Sequence, residues 1–198
     1  SPNKINKIQG FVGDKYVVAA SVGHIADLAK GQHHGMGINL SNFDPKYILM
    51  PDKISVLSNL MSLAKNASKV LLATDKDMEG EAIAWHLATR LTDTNSNIKR
   101  VTFDAITKKA VMDGLKAERD LDLDLVHAQE TRRILDRIVG FTASPFLMNF
   151  FGKNLSAGRV QSVCLRMIVD REQEIERFKP EKYWTLKAAF SSGNEEVI

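Results

Sequence analysis

Between Lys69 and Ala117 the chain alternates twice between a short apolar run and a helical stretch. "KVLLATD" reads as a parallel strand buried on both sides, because its apolar residues run on without alternating. An acidic turn follows, then a helix predicted from about Met78 to Leu91. "IKRVTF" is the next strand, and "DAITKKAVMDGLKA" the next helix, with Asp104 and Thr107 at its start. Strand, helix, strand, helix with short connections specifies an α/β fold built on a parallel sheet flanked by helices. The alternation ends near residue 120.

Upstream, Ile5, Ile8 and Phe11 lie at helical spacing, and Gly13 closes that segment. "KYVVAASVGHI" is expected to be a buried strand. "GQHHGMGINLSN" holds three of the chain's twelve glycines and the adjacent His33 and His34, and reads as a loop. From Lys53 to Lys65 the apolar positions 54, 57, 60, 61 and 64 predict an amphipathic helix. Downstream, "DLDLVHAQETRRILDRIVGFTASPFLMNFF" and "SAGRVQSVCLRMIVDREQEIERF" are long helical stretches, and "YWTLKAAF" suggests a further strand. The expected organisation is an α/β domain over 1–120, the first part of a helical domain over 121–180, and the start of another β-containing domain over 181–198.

Composition excludes some roles. No apolar run approaches the roughly 20 residues that span a bilayer. The single cysteine, Cys164, precludes an internal disulfide and suits a reducing, cytoplasmic setting. Its apolar neighbours predict a buried structural thiol rather than a nucleophile. A formal net charge of +3 permits nucleic-acid binding but requires that any basic surface be local.

The acidic turn carries the chemistry. "ATDKDMEGE" puts Asp75, Asp77 and Glu79 at the end of a strand and the first turn of a helix. Ligands of parallel α/β sheets gather beyond the carboxyl ends of the strands. Three hard oxygen donors so close suit Mg²⁺, which takes carboxylates together with waters and phosphate oxygens. Acids are also favoured at helix N-termini as caps and dipole partners, which accounts for one or two of them. Glu81 faces away from Asp77 and reads as structural.

Several stretches resemble, in order, the motifs of bacterial-type type IA DNA topoisomerases. "ATDKDMEGEAIAWHL" resembles the Toprim acidic motif TD-x-D-R-EGEAIAWH. "SPNK", "ASVGHIADL" and "FDAITKKAV" are similar to SPAK, SxGHIRDLP and FxEITxxAI. "HAQETRRILDRIVGFTASPFL" and "LSAGRVQSVCLRMIVDREQEI" resemble two motifs of the helical domain that follows. The resemblance spans nearly the whole chain and implies a Toprim domain plus the beginning of that helical domain. It implies that Asp75, Asp77 and Glu79 hold Mg²⁺ near the scissile phosphate, and that Lys4 contacts that phosphate and protonates the departing 3′ oxygen. The resemblance also implies that His24 lines the site. It places Arg132, Arg133 and Asp136, by implication, on the helix beside a single-stranded DNA groove, and implies that Gly158, Arg159 and Gln161 contact backbone phosphates. The implied activity is ATP-independent relaxation of negatively supercoiled DNA by single-strand cleavage, strand passage and religation, in the cytoplasm at the nucleoid.

Outside these motifs the same residues read blandly. Lys4 is a solvated lysine, His24 a satisfied buried histidine, and the arginines at 132, 133, 137 and 166 a solvated helix face. Two departures stand near the site: Met78 replaces the usual arginine, and Ala105 the usual glutamate of FxEIT. A third concerns the nucleophile. The family's tyrosine lies in a later segment, and none of Tyr16, Tyr47 and Tyr183 stands in its context. The glutamate of the motif before SPxK is likewise missing. The chain alone is therefore expected to be inactive and to work with further domains of the same polypeptide. A non-catalytic single-stranded DNA-binding module is the rival reading, and the mass of the native gene product separates the two. A different Toprim protein, a primase or nuclease, would leave "LSAGRVQS" and "RRILDRIVG" unexplained.

Overall fold

The computed structural model describes residues 2–31, 35–152, 154–188, 190–192 and 195–197. His33 and His34 therefore lie outside the described residues. The chain divides into two compact units, 1–157 and 158–198.

In the first unit, helix α1 (Pro2–Val12) turns its Ile5, Ile8 and Phe11 partly inward and packs against α4 (Lys108–Lys116). Strand β1 (Ala26–Leu28) pairs antiparallel with β4 (Tyr47–Leu49). Between them, β2 (Ile38–Asn39) and β3 (Asp44–Pro45) form a second small antiparallel pair. Helix α2 (Ile54–Asn66) buries Leu57 and Ala64. The predicted parallel unit is present: β5 (Val70–Leu72) pairs with β6 (Ile98–Arg100), and α3 (Met78–Leu91) is the crossover. Ile25, Leu57, Ala64, Leu72, Ala84, Leu87 and Leu91 form one apolar core on which α2, α3 and β5 converge. Helix α5 (Leu123–Phe151) starts at Asp122, whose carboxylate accepts from the amides of Asp124 and Leu125, each at 3.1 Å.

The second unit contains helix α6 (Arg159–Arg177) and an antiparallel pair, β7 (Phe190–Ser192) with β8 (Glu195–Val197). No described helix is long and apolar enough to cross a membrane.

Three expectations are corrected. The segment 15–25 is not a strand: its first residue closes a 3-10 turn, and 16–23 run without ladder partners. The Gln9 side chain takes over the role of a neighbouring strand. It accepts from the Val18 amide at 2.9 Å and donates to the Tyr16 and Gly13 carbonyls at 2.7 and 2.8 Å. Val17 is consequently exposed rather than buried. "YWTLKAAF" forms no strand over residues 183–188; Ala189 is outside the described residues and pairing begins at Phe190. Cys164 is exposed, together with Val160, Val163, Leu165 and Met167, because no described layer covers this part of α6.

Candidate active site

The acidic turn is assembled by the β5–α3 connection. The β5–β6 ladder ends at Leu72, paired with Arg100, so the chain leaves the sheet at Ala73. Asp77 is the N-cap of α3, and its Oδ1 accepts from the Gly80 amide at 2.6 Å. The Thr74 hydroxyl donates to the Gly80 carbonyl at 2.5 Å, closing the turn from the other side. Gly80 is buried against the main chain of Asp75: a Cβ there would stand 2.1 Å from the Asp75 carbonyl oxygen. The turn is thus tight in its backbone while its side chains face solvent.

Two residues far away in sequence reach it. Lys4, on α1, places Nζ 4.0 Å from Asp75 Oδ1. His24, just ahead of β1, places Nε2 3.4 Å from Glu79 Oε1. Asp75 and Glu79 stay well exposed, so these pairs contribute at most about 1 kcal/mol each. At the rim, Lys76 pairs with Asp104 at 3.6 Å. Lys76 lies two residues from Met78, which is half-buried, and Asp104 is next to Ala105, which is exposed. A charge pair therefore remains between these two loops, displaced from the positions where the motifs place an arginine and a glutamate.

The donor set fits a hard divalent cation in its chemistry: three exposed carboxylates, none of them paired with an arginine among the described residues. Its geometry departs from the expectation that all three converge on one ion. Among the described residues, no group of three His, Cys, Asp or Glu is placed to hold a metal. Asp77 turns back to cap α3, while Asp75 leans to Lys4 and Glu79 to His24. This arrangement suits Mg²⁺ held by one or two carboxylates with waters and phosphate oxygens.

Glu81, one turn into α3, is only 1 % exposed, as a structural role requires. Its carboxylate accepts from Arg100 Nε at 3.0 Å, Arg119 Nη1 and Nη2 at 2.9 and 2.8 Å, and the Asp122 amide at 2.8 Å. Burial pushes its pKa up, but the Arg119, Asp122 and Arg100 hydrogen bonds and the Arg100 charge outweigh that and hold it at about 2. Arg100 and Arg119 escape a motif reading. The available signal is Arg100 itself, a cation within a strand that must be buried on both faces.

Behind the turn, α3 presents His86 to an aromatic group. Its ring meets Tyr47 at 4.6 Å and Trp85 at 4.8 Å, with His24 at 6.5 Å. Burial, then the charges of His24 and Arg90, lower the His86 pKa to about 4. The Tyr47 phenol is pushed up to about 12 by burial and by the neighbouring Glu130 carboxylate, to which it is hydrogen-bonded. Such a phenol is a poor nucleophile.

On α5, Arg133 Nη2 lies 2.5 Å and Arg137 Nη2 3.7 Å from Asp27 Oδ1 on β1. Burial raises the Asp27 pKa, but the Arg133 hydrogen bond, the Leu28 amide and the two arginine charges bring it below its ordinary value. Arg133, Asp136, Arg137, Phe141 and Met148 line an open cavity of about 510 Å³, and the Arg137 guanidinium stacks 5.2 Å over the Phe141 ring. Arg132 is exposed on the same helix. Gly158, Arg159 and Gln161 belong to the second unit, where Gly158 is the N-cap of α6. Lys4, His24 and the acids thus form one cluster, and Arg133 and Asp136 a cavity on α5.

Comparison with known proteins agrees with this architecture. The Toprim domain family matches residues 1–106 and the DNA topoisomerase family residues 120–198. A solved structure of full-length topoisomerase I from Thermotoga maritima, in a monoclinic crystal form, is 45 % identical over 92 % of this chain, with a TM-score of 0.78. The chain spans 31 % of the length of that protein. A Toprim fold with the acidic turn at its strand end, continuing into topoisomerase sequence over most of the remainder, places this chain in the bacterial type IA DNA topoisomerase family.

Proposed function

We propose that this chain contributes the Toprim half of an active site that relaxes negatively supercoiled DNA. The reaction is cleavage of one strand through a 5′-phosphotyrosine link, strand passage and religation, without ATP, in the cytoplasm at the nucleoid. The observation that carries this reading is the meeting of Lys4 and His24 with the acidic turn, from 71 and 55 residues away in sequence by the numbering (75 − 4 and 79 − 24). In this reading residues 1–120 are the Toprim domain, 121–180 the first part of a helical groove domain and 181–198 the start of a further, β-containing domain.

Mg²⁺, bound by one or two of Asp75, Asp77 and Glu79, would supply positive charge at the non-bridging phosphate oxygens. The chain's own residues do the rest. Lys4 is within reach of any phosphate beside Asp75, and its ammonium can hand a proton to the 3′ oxygen as that bond breaks. His24 holds Glu79 in place. Arg132, Arg133 and Asp136 orient the single strand on α5. Gly158, lacking a side chain, lets the first amides of α6 approach a phosphate closely, and Arg159 and Gln161 add contacts. The attacking tyrosine belongs to another segment of the polypeptide, since Tyr47 is half-buried with its phenol raised to about 12 and neither Tyr16 nor Tyr183 stands in the sequence context of the family's tyrosine.

Binding of a single-stranded oligonucleotide across a salt series tests the reading. Arg159→Ala is expected to weaken binding and reduce the slope of log K against log salt by about one. Equal slopes for parent and variant would contradict a phosphate contact at Arg159.

A further inference from the structure

Arg100 is the largest fully buried side chain, at 0 % exposure. It occupies the last position of β6, where an apolar residue would be expected between the layers. A guanidinium taken out of water must find hydrogen-bond partners, and here each of its three nitrogens has an acceptor. Nε donates to Glu81 Oε2 at 3.0 Å. The two Nη1 protons face the carbonyls of Leu72 and Thr74, both at 3.0 Å, and of Val101 at 2.5 Å. Nη2 donates to the Asp75 carbonyl at 2.8 Å.

Three of these acceptors, on Leu72, Thr74 and Asp75, lie along one continuous segment. Leu72 is the last residue of the β5–β6 ladder, its carbonyl also accepting from the Val101 amide at 3.0 Å, whereas Thr74 and Asp75 lie beyond the ladder in the acidic turn. Arg100 therefore continues the sheet's hydrogen bonding with its side chain, beyond the point where β6 can do so with its backbone. Stability alone is a weak reason for such a group, because buried ion pairs are often no better than well-packed apolar residues of the same volume. An apolar residue could fill the space, but it could not hold the Thr74 and Asp75 carbonyls, which have left the sheet.

We propose that Arg100 is a positioning residue for the acidic turn. Anchored by Glu81, it fixes the main chain at Leu72, Thr74 and Asp75, and so sets how tightly the turn's carboxylates take up Mg²⁺. The inference rests on the metal reading given above. Arg119 supplies an internal control. It shares the same Glu81 carboxylate and pairs with Arg100 through its backbone, yet its remaining side-chain bond goes to the Asp120 carbonyl and, among the described residues, none goes to the turn.

The test is a calorimetric Mg²⁺ titration of the whole chain, well below the unfolding midpoint, for the parent, Arg100→Lys and Arg119→Lys. Lysine keeps the charge opposite Glu81, but its compact ammonium cannot reproduce the forked set of bonds. Arg100→Lys is expected to lose about 10-fold or more in Mg²⁺ affinity, the range usual for groups that orient metal-binding side chains. Arg119→Lys is expected to keep the parent's affinity. Parent-like affinity in Arg100→Lys overturns the proposal, as does an equal loss in both variants. If Arg100→Lys does not fold, the parent answers the question by NMR. Coupling is reciprocal, so the Arg100 Nε–H signal must shift with Mg²⁺ along the calorimetric isotherm, and a signal that stays fixed to saturation overturns the proposal. A parent chain that takes up no Mg²⁺ would overturn the metal reading itself, an outcome distinct from binding that ignores Arg100.

Discussion

Gly80 shows how little room the acidic turn leaves. Alanine is ordinarily worth about 1 kcal/mol more than glycine inside a helix. Here the added methyl would lie 2.1 Å from the Asp75 carbonyl oxygen, with the Asp75 carbonyl carbon and amide nitrogen also close. Overpacking of that kind costs about 1–3 kcal/mol, and the obstacle is backbone that Arg100 holds in place. Gly80→Ala is therefore expected to be net destabilising in urea unfolding. A neutral or stabilising result would mean that the turn is looser than its contacts indicate. At this scale the sequence was partly readable. Acids at a strand end and helix start follow from their spacing, and the inward turn of Glu81 follows from its place in the helix. That Asp77 points back to cap α3, and that Asp75 and Glu79 lean toward different partners, depends on Lys4 and His24 arriving from elsewhere.

Elements were legible where a local signal closes them. Helix α3 starts at Met78 and ends at Leu91 as predicted, because an acidic N-cap opens it and an apolar periodicity runs through it. The stretch after Gly13 failed for the opposite reason. Its Val and Ala residues suit a strand, but a strand exists only if another backbone pairs with it, and here one glutamine side chain takes the polar groups instead. Helix α3 also carries a titration. His86 is buried beside Tyr47, Trp85, His24 and Arg90, and its pKa falls from the ordinary 6.5 to about 4. The unfolded chain thus binds a proton near pH 6.5 that the folded chain refuses until about pH 4. Its contribution to stability is complete above pH 6.5 and is lost as pH falls through that window, at up to ~1.4 kcal/mol per pH unit. His86→Phe, which keeps an aromatic ring against Tyr47, should flatten the stability profile between pH 6.5 and 4. An unchanged slope would place the titration elsewhere.

The whole molecule combines a small α/β body, whose parallel β5–β6 pair and crossover helix build the acidic turn, with helices that carry cationic side chains onward. Alternation of apolar runs and amphipathic stretches made the fold class readable. It could not reveal that Arg100 would sit in the sheet, or that Cys164 and its apolar neighbours on α6 would be exposed. The mechanism stands on uptake of Mg²⁺ by the acidic turn through its own carboxylates. Calorimetric Mg²⁺ titration of the parent against an Asp75→Asn, Asp77→Asn double variant tests it most directly. Asparagine is chosen because it still caps α3, whereas alanine at 77 would cost about 1 kcal/mol of helix stability. Saturable binding is expected in the parent and its loss in a variant that unfolds at nearly the same temperature; identical isotherms, or no binding by the parent, would rule out Mg²⁺ uptake by these carboxylates.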